Sequence, residues 1–274
     1  MEPYWDVIKR IISESDLVLE VLDARLVELS RNEEVEKLIS EIGRPLVFVV
    51  NKSDLVSRSA LKNKVKRLRE KGEVVFISTK DKRTTRILFY AIKKVFKKFG
   101  KRERVIRNKF DPKPEYREAI ADIVVGVLGY PNVGKSSIIN ALAHKKKMKV
   151  SKKAGTTHGL HWIKATNEIK LIDSPGVIPL AKDDDIRYGL IGAKDSERLK
   201  NPELVAHAVV NLFKSVNPKS FEKFYDFSID SKSAEEVVEE IGKRKGHLIK
   251  GGRVDENRTC SMIIRDWQEG RLRL

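Results

Sequence analysis

Short apolar runs alternate with longer amphipathic stretches over the first two thirds of the chain. Five runs rich in β-branched residues predict buried strands, at residues 17–22, 46–50, 74–77, 123–128 and 169–172. Apolar residues at helical spacing predict helices between them, at residues 32–42, 59–71 and 84–99. Strands that alternate with helices predict a mainly parallel sheet with helices on both faces, which is an α/β fold.

The pattern changes further along the chain. Residues 162–166 predict one more strand, which turns at Asn167-Glu168 and pairs with the strand at 169–172. Beyond residue 185 the strand patterns stop, and residues 200–242 show helical periodicity. We therefore predict an α/β domain at residues 1–185 and a small, mainly α-helical domain at residues 186–274. The highly charged segment 100–118 predicts a surface connection.

The net charge indicates the kind of partner, and the cysteine content excludes disulfide-bonded proteins. The chain has 56 Lys and Arg against 39 Asp and Glu, a net charge of +17. This balance favours nucleic acid, or second an anionic membrane, as partner, but it fits a lysine-rich solvated surface almost equally well. The single cysteine, Cys260, excludes an intramolecular disulfide. The chain shows neither a signal-peptide pattern nor an apolar stretch near the roughly 20 residues that span a bilayer. We expect a soluble, cytoplasmic protein.

Residues 129–136 fit the phosphate-loop pattern G-x-x-x-x-G-K-[ST] between a predicted strand and a predicted helix. The glycines let backbone N–H groups turn toward phosphate oxygens, and the helix N-terminus adds positive charge. Lys135 can reach the β- and γ-phosphates, and the Ser136 hydroxyl is placed to ligate Mg²⁺. The predicted nucleotide contacts in this loop are Asn132, Val133, Gly134, Lys135, Ser136 and Ser137.

A second set of residues favours guanine over adenine. Asn51, Lys52 and Asp54 follow a predicted strand directly. A carboxylate at Asp54 can accept from guanine N1–H and the exocyclic amine, a donor pair that adenine lacks. Asn51 can bond the guanine edge, and the Lys52 stem can pack over the base. After the next strand, the backbone N–H groups of Ser78, Thr79 and Lys80 could close over the guanine carbonyl. Each of these two segments alone fits an ordinary turn, but their succession after consecutive strands indicates guanine recognition.

Two further elements suit a γ-phosphate sensor. Asp173 ends a predicted strand and can hold Mg²⁺ through water, and the Gly176 N–H could contact the γ-phosphate. Gly155-Thr156-Thr157 lies between the phosphate loop and Asp173, and a threonine there can ligate Mg²⁺ only with GTP bound. We favour Thr157 over Thr156, against the alternative of a plain polar loop.

The order of these elements is rotated, with the guanine motifs ahead of the phosphate loop. The chain resembles the circularly permuted GTPases of the YlqF/YawG type, which are ribosome-assembly factors. Further matches are Asp23-Ala24-Arg25, the segment 155–165 and the C-terminal segments 243–255 and 263–272. The resemblance covers nearly the whole chain. It implies a P-loop GTPase fold, GTP or GDP with Mg²⁺ as ligands, and a switch role on the large ribosomal subunit precursor and its rRNA. Asp23-Ala24-Arg25 could also be a simple ion pair at a strand end.

Two residues bear on catalysis. Val177 stands where many GTPases keep a glutamine that orients the attacking water, so that route is closed. Related GTPases with Pro-Asn in the phosphate loop use the asparagine to bind K⁺, which implies this role for Asn132; a loop-capping asparagine is the alternative. We predict slow turnover, stimulated by K⁺ and by a macromolecular partner. The predicted catalytic residues are Asn132, Lys135, Thr157 and Gly176.

Lysine clusters at 93–98, 145–153 and 243–245 suggest contact with ribosomal RNA through its backbone. We expect no DNA specificity, no membrane partner and a monomer. Two other functions stay open: an RNA-binding scaffold with little GTPase activity, and a GTPase that signals to a protein or membrane partner. Because the chain runs from Asp173–Gly176 toward the second domain, we also expect nucleotide state to set that domain's orientation.

Overall fold

The computed structural model describes residues 4–57, 60–61, 65–101, 123–143, 161–173 and 184–274. The strands of the described residues are β1 Leu17–Asp23, β2 Leu46–Asn51, β3 Glu73–Phe76, β4 Ile123–Leu128, β5 His161–Lys164 and β6 Ile169–Asp173. The helices are α1 Tyr4–Glu14, α2 Val27–Ser30, α3 Glu33–Glu41, α4 Leu68–Lys71, α5 Lys82–Phe99, α6 Lys135–Leu142, α7 Asp185–Leu190, α8 Pro202–Val216, α9 Pro218–Tyr225, α10 Ala234–Arg244 and α11 Glu256–Gln268. Single 3₁₀ turns lie at Ser53–Leu55 and Ser196–Arg198.

The six strands form one sheet in the order β3-β2-β1-β4-β6-β5. Strands β1, β2, β3, β4 and β6 run parallel, and β5 pairs antiparallel with β6 as a hairpin. This confirms the predicted α/β fold with a mainly parallel sheet. The order reverses between β1 and β4, and in parallel sheets ligands bind outside the carboxyl ends of strands at such a switch point.

Alternating side chains of each strand pack on opposite faces of the sheet. Leu17, Leu19 and Val21 of β1 face one hydrophobic cluster, which helices α5 and α6 cover. Val18 faces a second cluster on the other side, with Ile8, Ile11 and Ile12 of α1 and Val35 and Ile39 of α3. Helix α1 lies outside every segment that sequence pattern predicted as helical, although its buried isoleucines follow helical spacing.

The C-terminal helices pack against the sheet. Leu22, Phe48 and Val50 share a hydrophobic cluster with buried side chains of α8, α9, α10 and α11. Helix α8 contacts α7, α10 and α11 and lies between them. The mainly helical character of the C-terminal part is confirmed, while the domain boundary at residue 185 stays a prediction.

Two predicted segments differ in extent from the structure. The predicted helix 59–71 is helical at residues 60–61 and at Leu68–Lys71, and residues 58–59 and 62–64 lie outside the described residues. The predicted connection at 100–118 also lies almost entirely outside them. Within the described part of the chain, no helix is both long enough and apolar enough to cross a bilayer. The cytoplasmic location and the monomeric state stay predictions.

Candidate nucleotide-binding site

The carboxyl ends of five parallel strands meet at one edge of the sheet. Cα of Asp23 at the end of β1 pairs in register with Asn51 of β2, and Val127 of β4 pairs with Asp173 of β6. The loops that carry the guanine motifs and the phosphate loop therefore leave the sheet side by side. The rotated order along the chain leaves this spatial arrangement intact, because neighbouring strands need not be consecutive in sequence.

The phosphate loop turns sharply between β4 and α6. Gly129 and Gly134 have φ of +147° and +103°, values in the region that side chains other than glycine rarely adopt. A Cβ at Gly129 would lie 2.6 Å from the Val21 carbonyl oxygen. Helix α6 begins at Lys135 with Gly134 as its N-cap and without a side-chain cap, so its first backbone N–H groups face the loop.

Lys135 lies at the centre of this loop. Its ammonium donates to the carbonyl oxygens of Gly129 and Tyr130, both at 2.8 Å. Burial lowers the pKa of Lys135 to about 8, although the Asp173 carboxylate acts to raise it. The lysine is thus a buried cation enclosed by the backbone of the phosphate loop, and its contact with phosphate stays a prediction.

Asn51 connects the guanine motif to the phosphate loop. Its side-chain amide donates to the Val133 carbonyl oxygen at 2.8 Å, across 82 positions of sequence. A Cβ at Gly134 would collide with the same amide nitrogen. The Asn51 Oδ1 is buried and has no hydrogen-bond partner among the described residues. The prediction gave Asn51 a contact with the guanine edge only; the tether to Val133 was missed.

Asp173 lies at the end of β6, beside the phosphate loop. Burial raises the pKa of its carboxyl to about 6, and the charges of Lys135 and His161 act in the opposite direction. Its Oδ1 is buried without a hydrogen-bond partner among the described residues. Ser136 and Ser137 lie in the first turn of α6. The predicted switch residues Thr157 and Gly176, and Val177, lie outside the described residues.

The guanine loops lie next to each other at the ends of β2 and β3. Asp54 forms an ion pair with Lys80 at 3.0 Å, which links the two predicted guanine motifs directly. Burial acts to raise the pKa of Asp54, but hydrogen bonds from Lys80 and Ser78 outweigh it and lower that pKa. The Lys80 N–H donates to the Ser78 hydroxyl. Thr79 follows Ser78 in the same turn.

A buried ion pair between Asp23 and Arg25 contacts Lys52 of the first predicted guanine motif. Asp23 accepts from Arg25 Nε at 3.0 Å and Nη2 at 2.8 Å, and from Lys52 Nζ at 2.8 Å. Burial acts to raise the pKa of Asp23, but the charges of Arg25 and Lys52 outweigh it and hold that pKa well below its usual value. The Arg25 guanidinium lies 4.0 Å from the ring centre of Trp267 in α11. Sequence reasoning assigned Asp23-Ala24-Arg25 no role, and its ion pair was only one alternative.

Helix α7 and the turn after it pack against the phosphate loop. The Asn132 amide donates to the Gly192 carbonyl oxygen at 2.7 Å. Arg187 lies over the Tyr130 ring and donates to the carbonyl oxygens of Leu29 and Arg31. Arg187 and Gly192 were not predicted, since nothing in their spacing marks them as neighbours of a loop about 60 positions earlier.

The arrangement fits a guanine nucleotide with a divalent cation. Gly129 and Gly134 leave room where Cβ atoms would meet the Val21 backbone and the Asn51 side chain. Lys135 supplies a buried positive charge, and the Asp173 Oδ1, buried without a partner among the described residues, is the type of ligand that Mg²⁺ prefers. No cluster of three or more His, Cys, Asp or Glu is present among the described residues. A site that shares Mg²⁺ with phosphate oxygens and uses one carboxylate and one hydroxyl forms no such cluster.

Comparisons with known proteins relate this chain to GTP-binding proteins. Residues 124–244 match a family described as 50S ribosome-binding GTPase. The chain is 36% identical over 98% of its length to an uncharacterized GTP-binding protein of Methanocaldococcus jannaschii, of which it covers 66%. It is 30% identical over 94% of its length to ribosome biogenesis GTPase A of Bacillus cereus, of which it covers 84%.

Solved structures show the same fold. A GDP-bound structure of YlqF superposes with a TM-score of 0.61 at 19% identity, covering 96% of this chain and 94% of that one. The chain spans about half the length of several nucleolar relatives from fungi that it also matches. Because the sequence identity to ribosome biogenesis GTPase A extends over most of both chains, this protein belongs to the same family of circularly permuted GTPases.

Proposed function

We propose that this chain binds GTP, hydrolyses it to GDP and phosphate, and acts as a switch in assembly of the large ribosomal subunit. The observation that carries the proposal is the Asn51–Val133 hydrogen bond, because it joins a guanine-reading loop to a phosphate loop at one edge of the sheet. The names of the relatives, which include ribosome biogenesis GTPase A, support the ribosomal part.

In this proposal some residues of the site bind the base, and others bind the phosphates and Mg²⁺. Asp54 accepts hydrogen bonds from the guanine N1–H and amine, and the backbone after β3 closes over the guanine carbonyl. Lys135 and the N–H groups at the start of α6 bind the β- and γ-phosphates and stabilise charge that develops on them. Asp173 and Ser136 would hold Mg²⁺, with Thr157 as a third oxygen ligand and Gly176 on the γ-phosphate. When bound, Mg²⁺ neutralises charge on the β- and γ-phosphate oxygens.

Turnover is slow without help, since Val177 can neither orient nor deprotonate water. We propose that K⁺ near Asn132 assists, as the phosphate-loop sequence Pro131-Asn132 indicates. The Asn132 amide nitrogen is bonded to Gly192, which fixes the side chain at the loop. Initial rates of phosphate release in KCl and in NaCl at equal ionic strength test this. Faster release in KCl is expected; equal rates would rule out a specific role for K⁺.

Ribosomal RNA is the proposed partner, and the basic surfaces differ in how exposed their charge is. On α5, Lys93 pairs with Glu168 at 2.6 Å and Lys94 with Glu73 at 3.0 Å, so part of that cluster is neutralised. Lys145–Lys153 lie outside the described residues. The turn between α10 and α11 is different: Lys245, Lys250 and Arg253 are exposed, and none has an ion-pair partner among the described residues.

This turn is the best-supported RNA contact. It forms a short antiparallel bridge at Leu248 and Val254, so the charges are held on an ordered loop. The exposed cations suit a phosphate backbone. Affinity for large-subunit precursor particles should then fall steeply with salt, and Lys250→Ala with Arg253→Ala should lower it further. Lys37→Ala with Lys82→Ala is the control for a general loss of surface charge, since both are exposed lysines on α3 and α5, outside this turn.

Retention on the precursor particles tests the switch. We expect the protein to co-sediment with the particles in a non-hydrolysable GTP analogue, and to be released in GDP. Equal retention in both nucleotides, together with negligible phosphate release, would replace the switch by an RNA-binding scaffold. Val177 is the observation that keeps this second function open.

A further inference from the structure

The end of helix α11 contacts the nucleotide-binding half of the molecule through Trp267. The indole is fully buried, and its Nε1 donates to the Leu190 carbonyl oxygen at 2.7 Å. The Arg25 guanidinium lies over the indole ring at 4.0 Å and also donates to the Trp267 carbonyl oxygen. Arg25 is therefore clamped by one residue that lies 242 positions later in the chain.

Arg25 in turn fixes Asp23, and Asp23 fixes Lys52. Two nitrogens of Arg25 bond the Asp23 carboxylate, and Lys52 Nζ approaches the same carboxylate at 2.8 Å. Both Asp23 and Arg25 are only 1% exposed. Because water is excluded from Asp23 and Arg25, displacement of Arg25 would leave the Asp23 carboxylate as a buried charge without its main partner, and this would alter the anchor of Lys52. Lys52 has a left-handed backbone, with φ of +60°, and its ammonium pairs with the Asp23 carboxylate.

A second set of contacts leads from the same helix end to the phosphate loop. Gln268 donates to the carbonyl oxygens of Gly189 and Lys194, at 2.9 and 3.0 Å. Between those two residues lies Gly192, whose carbonyl accepts from Asn132 of the phosphate loop. The last two residues of α11 thus contact both halves of the site, the guanine loop through Arg25 and the phosphate loop through the turn at 189–194.

We propose that Asp23, Arg25 and Trp267 are positioning residues for guanine recognition: they hold the Lys52 side chain where its stem covers the base. This rests on the proposed binding of a guanine nucleotide at Asn51–Asp54. The packing of α11 and the affinity for guanine nucleotides are then coupled, and the coupling is reciprocal, so GDP binding stabilises the packing of α11. Any partner that displaces α11 would weaken nucleotide binding.

Calorimetric titration of the full chain with GDP tests the coupling. Trp267→Leu removes the ring face and the indole N–H, and we expect the Kd for GDP to rise at least about fivefold, the lower end of typical coupling between sites. Trp267→Phe keeps a ring for Arg25 and should restore most of the affinity. Phe221→Leu is the matched control: it opens the same hydrophobic cluster, but Phe221 packs on Phe213 and Tyr225 rather than on Arg25.

The decisive comparison is made in a Lys52→Asn background, since asparagine tolerates the left-handed backbone but lacks the ammonium. If Trp267 acts through Lys52, Trp267→Leu changes the Kd by less than about twofold there. An undiminished effect in that background, or an equal loss in Phe221→Leu, would show general loosening of the core and overturn the proposal. An unchanged Kd in Trp267→Leu would also overturn it, while failure of the unaltered chain to bind GDP would remove the proposed function itself.

Discussion

Gly134→Ala perturbs the contact between the Asn51 side chain and the phosphate loop, which brings the two parts of the proposed nucleotide site together. The new Cβ would collide with the Asn51 amide, which bonds the Val133 carbonyl oxygen. Two costs add. An L-residue at φ of +103° costs about 1–2 kcal/mol, and loss of the buried Asn51–Val133 bond costs about 1–3 kcal/mol. We expect the free energy of unfolding to fall by about 2–5 kcal/mol.

Gly43→Ala separates the two costs. Gly43 has φ of +72°, and a Cβ there would meet nothing within 4 Å, so it carries the backbone cost alone. Urea unfolding of both variants gives the difference, which we expect to be about 1–3 kcal/mol. Only Gly134→Ala should also weaken GDP binding, by at least about tenfold, or about 1.4 kcal/mol.

Asn51→Ala provides an internal check, because it removes the atom that the new methyl group would meet. In that background Gly134→Ala should cost only the backbone term, about 1–2 kcal/mol, so the two substitutions should be less than additive. Equal stability of Gly134→Ala and Gly43→Ala, or strict additivity with Asn51→Ala, would refute the close approach of the two loops.

Glu20, Cys260 and Arg187 each allow a further test. Burial and the Glu36 carboxylate raise the pKa of Glu20 to about 8, against hydrogen bonding from Asn32 and the charges of Arg31 and Lys71. The folded state then holds a proton that the unfolded state releases above its ordinary pKa of 4.5, so stability falls as pH rises toward 8. Between pH 4.5 and about 8 this lowers the free energy of unfolding by up to about 1.4 kcal/mol per pH unit, and Glu20→Gln should remove that dependence. Urea unfolding at several pH values measures it, and the same pH dependence in Glu20→Gln and the unaltered chain would contradict the prediction. Burial raises the pKa of Cys260 to about 12, so iodoacetamide at pH 8 should modify it only at the rate of unfolding, and rapid native-state labelling would argue against its burial. Arg187→Ala should weaken GDP binding severalfold, since it removes two hydrogen bonds and the contact with the Tyr130 ring. Arg187→Lys should recover little of the affinity. An unchanged Kd for GDP in Arg187→Ala would show that the packing of α7 does not affect nucleotide binding at the phosphate loop.

Most of the sheet could be predicted because its strands are buried on both faces and read as continuous apolar runs. The phosphate loop and the guanine motifs could be placed because each comes directly after such a run. In parallel sheets the strand ends share an edge, so elements far apart in sequence could be expected to meet. This is why the rotated order did not hinder the assignment.

The contacts between these elements could not be predicted. Arg25 and Trp267 lie 242 positions apart, and neither a strand-end Arg nor a helical Trp has spacing that marks a partner. Helix α1 was missed although its buried isoleucines, Ile8, Ile11 and Ile12, follow helical spacing. The tether from Asn51 to Val133 depends on the close approach of two loops, which local sequence does not encode.

Asp54 supports the most direct test of the central claim that the two rotated motifs form one guanine-specific site. GDP and xanthosine diphosphate differ at the base position where the Asp54 carboxylate accepts, since xanthine carries a carbonyl in place of the amine. We predict that the unaltered chain prefers GDP by about a hundredfold or more, and that Asp54→Asn, whose amide can donate to that carbonyl, reverses the preference. Calorimetric Kd values for both nucleotides measure this, and a preference that Asp54→Asn leaves unchanged would contradict guanine recognition by Asp54.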